Sequence, residues 1–407
     1  MSKNVFLNGP INYFKLTNGQ KTIYIFLDVH EDITIQRKCE ETYSIDIDKY
    51  IFEILKNNEN IDFFLEIFPK NLKENFSKIN YKYILELRKK FKTMYEKLKT
   101  ENKKSVRLHY IDIRDFMLFN YIWESLMLIF NNFKSINTYN LEKLINELQI
   151  IKSDINFIKD FFQMIKENKK IDYNEKIDLI EQKPINPNSN INPALVRNLL
   201  AYQIIEKILK KYKNQENESK INYLINEFFI KPISAISENK INNLINKLQQ
   251  IKSLSEFYEN NDKKSVEEDD YIIKYKSIVY GKIPYSKKIY DEIINEIEKM
   301  YLLLLNSYSV LMDGYFLRRF LDKDYIRNAI VYTGAAHSII YIWFLIKFFN
   351  FKIVEYDTIN NISQEELTKI IKKSESFQDI KEYIYPENFK QCVNLKKELN
   401  FNKKYKN

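Results

Sequence analysis

Short apolar runs alternate with longer amphipathic segments in the first third of the chain. The runs Lys21–Leu27, Ile61–Phe68 and Val106–Ile113 are rich in β-branched and aromatic residues, which is typical of buried strands. The segments between them, Ile45–Lys56 and Ile84–Leu98, place apolar residues at helical spacing. The order strand, helix, strand, helix, strand predicts a parallel sheet in an α/β layer architecture.

The strand pattern is interrupted by a long helical middle and then returns. From residue 116 to 312, apolar residues recur at helical spacing with Lys, Glu and Asn between them, and runs of strand composition return at Arg327–Thr333 and Phe351–Tyr356. We therefore predict an α/β fold with a mostly parallel sheet core, split by a large helical insertion that forms a lid or cap. The predicted parts are a discontinuous core (1–115 and 313–375), the insertion (116–312) and a Lys-rich C-terminal tail (376–407).

The chain is basic, with a formal net charge of +9. A basic chain can bind nucleic acid through phosphate contacts. The lysines here are spread along segments of mixed charge rather than gathered in one tract, which is typical of solvated faces, so nucleic-acid binding is not expected. The abundance of Ile, Lys and Asn is what AT-rich codons supply, and this composition resembles that of giant DNA virus proteins.

Cysteine usage and hydropathy bear on location. Cys39 and Cys392 are the only cysteines and form no CxxC pair, so we expect neither a disulfide framework nor a zinc–cysteine site. This favours a reducing compartment, the cytoplasm, or the host cytoplasm or virion if the chain is viral. Ala329–Ile346 holds eighteen residues without a charge, but Thr333–Ser338 interrupts it. A strand, a tight turn and a buried helix are therefore preferred to a membrane span.

Histidine is scarce, and two of the three histidines follow predicted strands. His30 ends the sequence LDVH, and His337 ends GAAH. Glu66 lies inside the apolar run IDFFLEIF, where an ionised carboxylate is costly unless it is paired or bound to a metal. Because ligands of parallel sheets bind at the carboxyl ends of the strands, we predict a site formed by His30, Glu66 and His337, with Asp28 or Asp32 in support.

Each of these residues also has an ordinary structural explanation when it is taken singly. A histidine at a strand end is often a hydrogen-bonded cap, and Glu66 could face solvent by simple alternation; their occurrence together favours a site. His109 precedes its strand end, so we assign it a structural role. Gly334, one of only five glycines, stands at a predicted strand-to-helix junction, where it allows positive φ or close backbone approach. The following helix offers N–H groups to an anion or a carbonyl oxygen.

These motifs resemble a superfamily that gathers TraB/PrgY proteins, Tiki proteases, ChaN-like haem-binding proteins and erythromycin esterases. The resemblance rests on Leu27–His30, Glu66 in its strand and Gly334–His337, and it covers the outer parts of the chain. Leu27 stands where the family carries a glycine. The family also has basic residues before its last motif, for which Arg318, Arg319 and Arg327 are candidates. Members include metal-dependent and metal-independent hydrolases and ligand binders, so the resemblance implies an ester or amide bond as the substrate.

Two other families share an Asp-x-His motif with this chain. Calcineurin-like phosphoesterases resemble LDVHED, but they need more histidines than the three present to hold two metals. Arginases and deacetylases resemble Asp28-x-His30-x-Asp32, but their later Asp-x-Asp motif has no suitable counterpart, because Asp46-Ile47-Asp48 comes too early. Both are disfavoured.

The resulting hypothesis is a hydrolase with a His/Glu/His site. In one version His30, Glu66 and His337 bind a divalent metal, zinc or manganese, which lowers the pKa of a bound water. In the other version a histidine acts as general base on water, with Glu66 orienting it. Arg114 or Arg327 would stabilise an oxyanion.

The alternative hypothesis is a non-catalytic structural or interaction protein, such as a virion component, that keeps the fold and uses the helical insertion as its binding surface. The substrate and the oligomeric state are not predicted.

Overall fold

The structure is a computed structural model of the 407-residue chain. It describes residues 4–67, 82–100, 106–113, 141–167, 203–236, 239–250, 284–357, 362–385, 390–396 and 399. In this part of the chain no helix is long and apolar enough to cross a membrane.

A six-stranded mixed sheet forms the centre of the fold, in the order β6-β5-β7-β3-β2-β8. Its strands are β2 (Asn12–Thr17), β3 (Thr22–Asp28), β5 (Ile61–Leu65), β6 (Val106–Tyr110), β7 (Asn328–Gly334) and β8 (Lys352–Tyr356). The neighbours β3, β7, β5 and β6 are parallel, whereas β2 is antiparallel to both β3 and β8. The prediction of an α/β fold with a mostly parallel sheet is confirmed, although β8 joins through an antiparallel partner that the sequence analysis did not identify.

A second, three-stranded sheet joins both ends of the chain. Its strands are β1 (Val5–Asn8), β4 (Ile45–Asp46) and β9 (Cys392–Leu395), in the order β4-β1-β9. β9 pairs antiparallel with β1, with Val393 and Leu395 fully buried. Within residues 376–407, which the sequence predicts as a Lys-rich C-terminal tail, alternating apolar side chains of β9 pack into the core.

Helices flank and separate the strands. The α-helices are α1 (Ile47–Asn57), α2 (Tyr83–Thr100), α3 (Leu141–Lys166), α4 (Gln215–Ile225), α5 (Lys231–Ala235), α6 (Pro284–Asp322), α7 (Ala335–Phe349), α8 (Gln364–Lys373) and α9 (Lys381–Ile384). Residues 203–210 and 239–250 are also helical, Asn226–Ile230 form a π-helical turn, and Phe377–Ile380 a 3-10 turn. Eleven of the fifteen residues of α7 are buried, so the uncharged stretch that ends in α7 is a strand and a core helix, as predicted.

The chain divides into two compact units. One comprises residues 1–113, 208–222 and 312–407, and the other comprises 114–207 and 223–311. Both sheets and α7 belong to the first unit. Residues 208–222, which the sequence assigned to the helical middle, belong to that unit as well. Arg318 Nε donates to the Lys211 carbonyl, and the Lys213 amide donates to Asp322 Oδ1 (2.9 Å), which attaches this segment to the end of α6.

The two cysteines form a disulfide. Cys39, in the loop between β3 and β4, is bonded to Cys392 at the start of β9, 353 positions away. The expectation that the cysteines provide no disulfide was wrong, because spacing along the chain says nothing about a pair that the second sheet brings together. Disulfides persist in oxidising surroundings, so the cysteines no longer support a reducing compartment.

Candidate functional site

The parallel strands β3, β7 and β5 end at the same edge of the large sheet. Their register pairs Asp28 with Gly334, and Leu65 with Tyr332. Asp28 is the last residue of β3, Glu66 directly follows β5, and Gly334 ends β7. The period and register of the strands therefore place these three residues side by side, and α7 begins immediately after Gly334 with His337 in its first turn.

Five side chains at this edge form a continuous chain of hydrogen bonds and ion pairs. His30 donates from Nδ1 to Asp28 Oδ2 at 2.6 Å and from Nε2 to Glu66 Oε2 at 3.2 Å. His337 Nε2 lies 3.3 Å from Glu66 Oε1, and its Nδ1 donates to Asp313 Oδ1 at 2.8 Å. The order is Asp28, His30, Glu66, His337, Asp313. The structure thus brings together the three residues that the sequence singled out, with a supporting carboxylate on each histidine.

Exposure differs sharply along this chain of side chains. The His30 side chain retains 27% of its accessible surface, whereas Glu66 and His337 retain 6% each. Asp28 and Asp313 are almost fully enclosed. A small molecule at this edge of the sheet would therefore meet His30 first.

Local backbone geometry presents His30. Its φ is +52°, a left-handed conformation that non-glycine residues adopt rarely and at a cost. Asp28 stabilises the turn, since its Oδ1 accepts the Val29 amide at 2.9 Å while its Oδ2 holds the His30 ring. The strained residue is thus held by the same carboxylate that orients its imidazole.

Gly334 fits the site by its lack of a side chain. Its amide donates to Glu66 Oε2 at 2.7 Å. A Cβ at this position would lie 3.3 Å from Glu66 Oε2, which is tighter than most real contacts, and 3.4 Å from His30 Nε2, at the limit of ordinary contact. The carboxylate also sits at the N-terminus of α7, where free N–H groups and the helix dipole favour negative charge. The helix N-terminus predicted to receive an anion is therefore used by Glu66 itself.

The electrostatics of the site favour alternating charges. Burial would raise the pKa of Glu66, but the imidazoles of His337 and His30 hold it well below its usual range. Burial would lower the pKa of His30, but its hydrogen bonds to Asp28 and Glu66 raise the pKa to about 9. Burial would also lower the pKa of His337, but the charges of Asp313 and Glu66 raise it to about 10. At neutral pH two imidazolium ions flank an ionised Glu66.

Asp313 is the site residue that the sequence analysis missed. It is fully buried in α6, and burial raises the pKa of its carboxyl against the opposing charge of His337. The signal was present, because Asp313 interrupts the apolar sequence SVLMDGYFL. An ionised carboxylate inside an apolar segment is as costly at Asp313 as at Glu66.

The donor types suit a metal, but their positions do not form a single-metal shell. Histidines that bind metals usually donate their other ring nitrogen to a carboxylate, as His30 and His337 both do here. Among the described residues, however, the set that offers three potential ligand atoms within 4.8 Å of one another is Cys39, Glu41 and Cys392, whose sulfurs are bonded to each other. In the present arrangement Glu66 hydrogen-bonds both imidazoles instead of sharing an ion with them.

Two of the other predicted candidates lie away from this chain of side chains. Arg327 is exposed and precedes β7 at its amino end, about 23 Å along the strand from Gly334 at roughly 3.3 Å per residue. Arg327 therefore does not lie at the edge of the sheet where these side chains meet. Asp32 is engaged locally, accepting from the Thr34 amide at 2.9 Å and from its hydroxyl at 2.7 Å. Arg114 lies outside the described residues.

His109 belongs to a separate polar network, in line with its predicted structural role. Its Nε2 donates to the buried Asp62 at 2.6 Å, and Arg319 Nε donates to its Nδ1 at 2.9 Å. Arg107 makes two further hydrogen bonds to Asp62, at 2.7 and 2.6 Å. Arg319, a basic candidate from the family resemblance, is used here.

The comparisons with known proteins place the chain in a family. The chain is similar to three proteins of Acanthamoeba polyphaga mimivirus. It is 29% identical to uncharacterized protein R706, covering 96% of this chain and 95% of that protein. It is 28% identical to uncharacterized protein R160, with 92% of each covered, and 28% identical to uncharacterized protein R161, with 97% and 98% covered. No solved structure matches. The profile of the family of unknown function DUF5847 matches residues 5–406, and the chain therefore belongs to that family.

Proposed function

We propose that this protein is a hydrolase of an ester or amide bond, in which His30 is the general base. The observation that carries the proposal is the Asp28–His30 pair. A buried carboxylate holds Nδ1, which directs the other ring nitrogen of the most exposed site residue toward Glu66. A base oriented by a second group is the arrangement that hydrolytic sites use to activate water.

The proposed steps use only side chains of the site. Neutral His30 carries its proton on Nδ1, which donates a hydrogen bond to Asp28. Its Nε2 accepts a proton from water as the water oxygen attacks the carbonyl carbon. Glu66 accepts the second proton of that water as a hydrogen bond and thereby orients it. The resulting imidazolium donates its proton to the leaving group, whose bond to the carbonyl carbon breaks. Asp28 stabilises the positive ring throughout.

The pKa of His30 sets the expected pH dependence. With a pKa near 9, about 1% of His30 is neutral at pH 7, and this fraction rises tenfold per pH unit until the pKa is reached. We expect the logarithm of kcat/KM of the free enzyme to rise with pH at a slope of one from pH 6 to about 8 and to level off above about 9.

The test is hydrolysis of a panel of p-nitrophenyl esters and anilides across this pH range. His30→Gln should lower kcat/KM by about 10² to 10⁴, the usual contribution of a general base. Asp32→Asn is the matched control, because Asp32 lies two residues from His30 and bonds only to Thr34 in the contacts described above. Equal activity of His30→Gln and the wild type, or a rate that falls as pH approaches 9, would contradict the general-base role.

The metal-dependent version is a second candidate, favoured by the carboxylate on the Nδ1 of each histidine. It requires His30, Glu66 and His337 to draw together around zinc or manganese. Metal analysis of the purified protein, followed by dialysis against a chelator, decides it. Less than about 0.1 metal per chain in active protein would exclude this version.

The remaining predictions concern the helical unit and location. The helical insertion at residues 116–312 stays a prediction, although residues 208–222 within it belong to the unit that holds both sheets. The mimivirus relatives support a viral setting, with host cytoplasm or virion as the location. Mass spectrometry of purified virions distinguishes the two.

A further inference from the structure

The disulfide is attached to the same loop that carries His30. The loop runs from residue 29 to 44 between β3 and β4, with His30 near its start and Cys39 in its second half. Cys392 begins β9, a strand of the second sheet. Both cysteines are half-buried, so a small dithiol can reach the bond. They are the only cysteines of the chain, and no other pairing within it is possible.

Hydrogen bonds from three backbone amides cluster around the disulfide. The Cys39 amide donates to Asn8 Oδ1 at 2.9 Å, and the Gln391 amide donates to the Arg37 carbonyl at 3.0 Å. The Gly9 amide donates to the Gln391 carbonyl at 3.1 Å. The loop is thus held to the segment preceding β9 by one backbone hydrogen bond and by the covalent link itself. Asn8 and Gly9 bind the loop and that segment, respectively, to the end of β1.

Gln391 connects this cluster to the site. It precedes Cys392, is only 1% exposed, and donates from Nε2 to Asp28 Oδ1 at 3.2 Å. The other oxygen of Asp28 accepts from His30 Nδ1. The disulfide is therefore connected to His30 through the residue before Cys392 and two hydrogen bonds, one from Gln391 to Asp28 and one from His30 to Asp28. A change in the position of β9 reaches the carboxylate that orients His30.

We propose that the Cys39–Cys392 disulfide is a redox latch on the hydrolytic site, which keeps Gln391 on Asp28 and the 29–44 loop in place when oxidised. Regulation of this kind rests on the proposed function. Reduction by a dithiol transfers two electrons and two protons to the Cys39 and Cys392 sulfurs, giving two thiols, and the dithiol becomes a cyclic disulfide. The loop then depends on its hydrogen bonds alone, and the orientation of Asp28 and His30 loosens.

The experiment measures loop protection and activity on the full chain, oxidised and after reduction with dithiothreitol. Hydrogen–deuterium exchange at the amides of Gly9, Cys39 and Gln391 should speed up at least tenfold on reduction. kcat/KM should fall by about 10- to 100-fold, because a small misplacement of a site residue can cost about 10²-fold in rate. The Cys39→Ser/Cys392→Ser double variant should have the amide exchange and kcat/KM of the reduced protein, and dithiothreitol should change neither.

The two proposals fail in different ways. Identical exchange at these amides in both redox states overturns the latch, whether or not any substrate is hydrolysed. Faster exchange with unchanged kcat/KM also overturns it, because the site would then be independent of the loop. If neither redox state hydrolyses any substrate, the proposed function fails, while exchange still decides whether reduction frees the loop. Where the double variant does not fold, the reduced wild type supplies the same comparison.

Discussion

Replacing Glu66 with glutamine tests the alternating charges of the site. The substitution keeps the size of the side chain and an oxygen that can accept the Gly334 amide, but it removes the negative charge between His30 and His337. Two imidazolium ions are then left with one supporting carboxylate each, and the glutamine NH₂ group faces a ring that is itself a donor. Removing one partner of a buried ion pair typically costs about 3–5 kcal/mol.

The pH dependence of this loss follows from the pKa values of the two histidines. Both are raised from 6.5 in the folded protein, to about 9 for His30 and about 10 for His337. Stability from a raised pKa is fully present below the unfolded value of 6.5 and is lost as pH rises through 9 to 10. If the charge of Glu66 supplies about one pKa unit at each ring, it contributes about 3 kcal/mol of this stability.

The assay is urea unfolding of wild type and Glu66→Gln near pH 6 and near pH 10, with the free energy of unfolding taken from linear extrapolation. We expect the difference between the two proteins to shrink by most of that 3 kcal/mol at the higher pH, because His30 is then largely neutral in the wild type and His337 is about half neutral. Glu53→Gln on the exposed side of α1 is the control, and its effect should stay within about 0.5 kcal/mol at either pH. A difference for Glu66→Gln that is the same at both pH values would refute the charge arrangement.

Three further outcomes follow from the structure. Gly334→Ala should lower kcat/KM at least tenfold, because the new Cβ crowds Glu66 and His30. The unfolding free energy should change by less than about 1 kcal/mol, because a φ of −54° is open to alanine. An unchanged kcat/KM would mean that Glu66 and His30 move aside freely. Asp313→Asn should lower the pKa of His337, measured by NMR titration of its ring, and an unchanged titration would contradict the Asp313 contact. The Cys39→Ser/Cys392→Ser variant should lose about 2–5 kcal/mol of unfolding free energy in urea relative to the oxidised wild type, and no loss would mean that the disulfide adds no net stability.

Much of the central sheet could be predicted from local pattern. The strands β3, β5, β6 and β7 lie within a few residues of the predicted runs, because fully buried parallel strands appear as continuous apolar segments. β2 was not identified, although Tyr13, Phe14 and Leu16 are buried in it. It follows an Asn-Gly-Pro turn near the start of the chain and is only six residues long. Short apolar runs of this kind carry little periodicity from which a strand can be recognised.

Part of the candidate site could also be predicted from local pattern. Three polar residues could be identified because they lie inside an apolar run or shortly after one: His30, Glu66 and His337. Parallel strands end at the same edge of a sheet, and this rule places such residues together. Arg327 was assigned to the site from its proximity to the motif in sequence, but a strand seven residues long separates its two ends by more than the width of a site.

The sequence by itself determined which residues are too polar for their surroundings, and therefore where chemistry can occur. Solvation makes a carboxylate in an apolar segment costly wherever it lies, so Glu66 was visible without a structure. Only the tertiary structure decided its partners. His337 reaches Glu66 across 271 positions, Asp313 arrives on α6, and Cys39 meets Cys392 through the β1–β9 pairing. These contacts depend on the register of strands and the docking of helices, which arise from long-range packing and leave no local pattern in the chain.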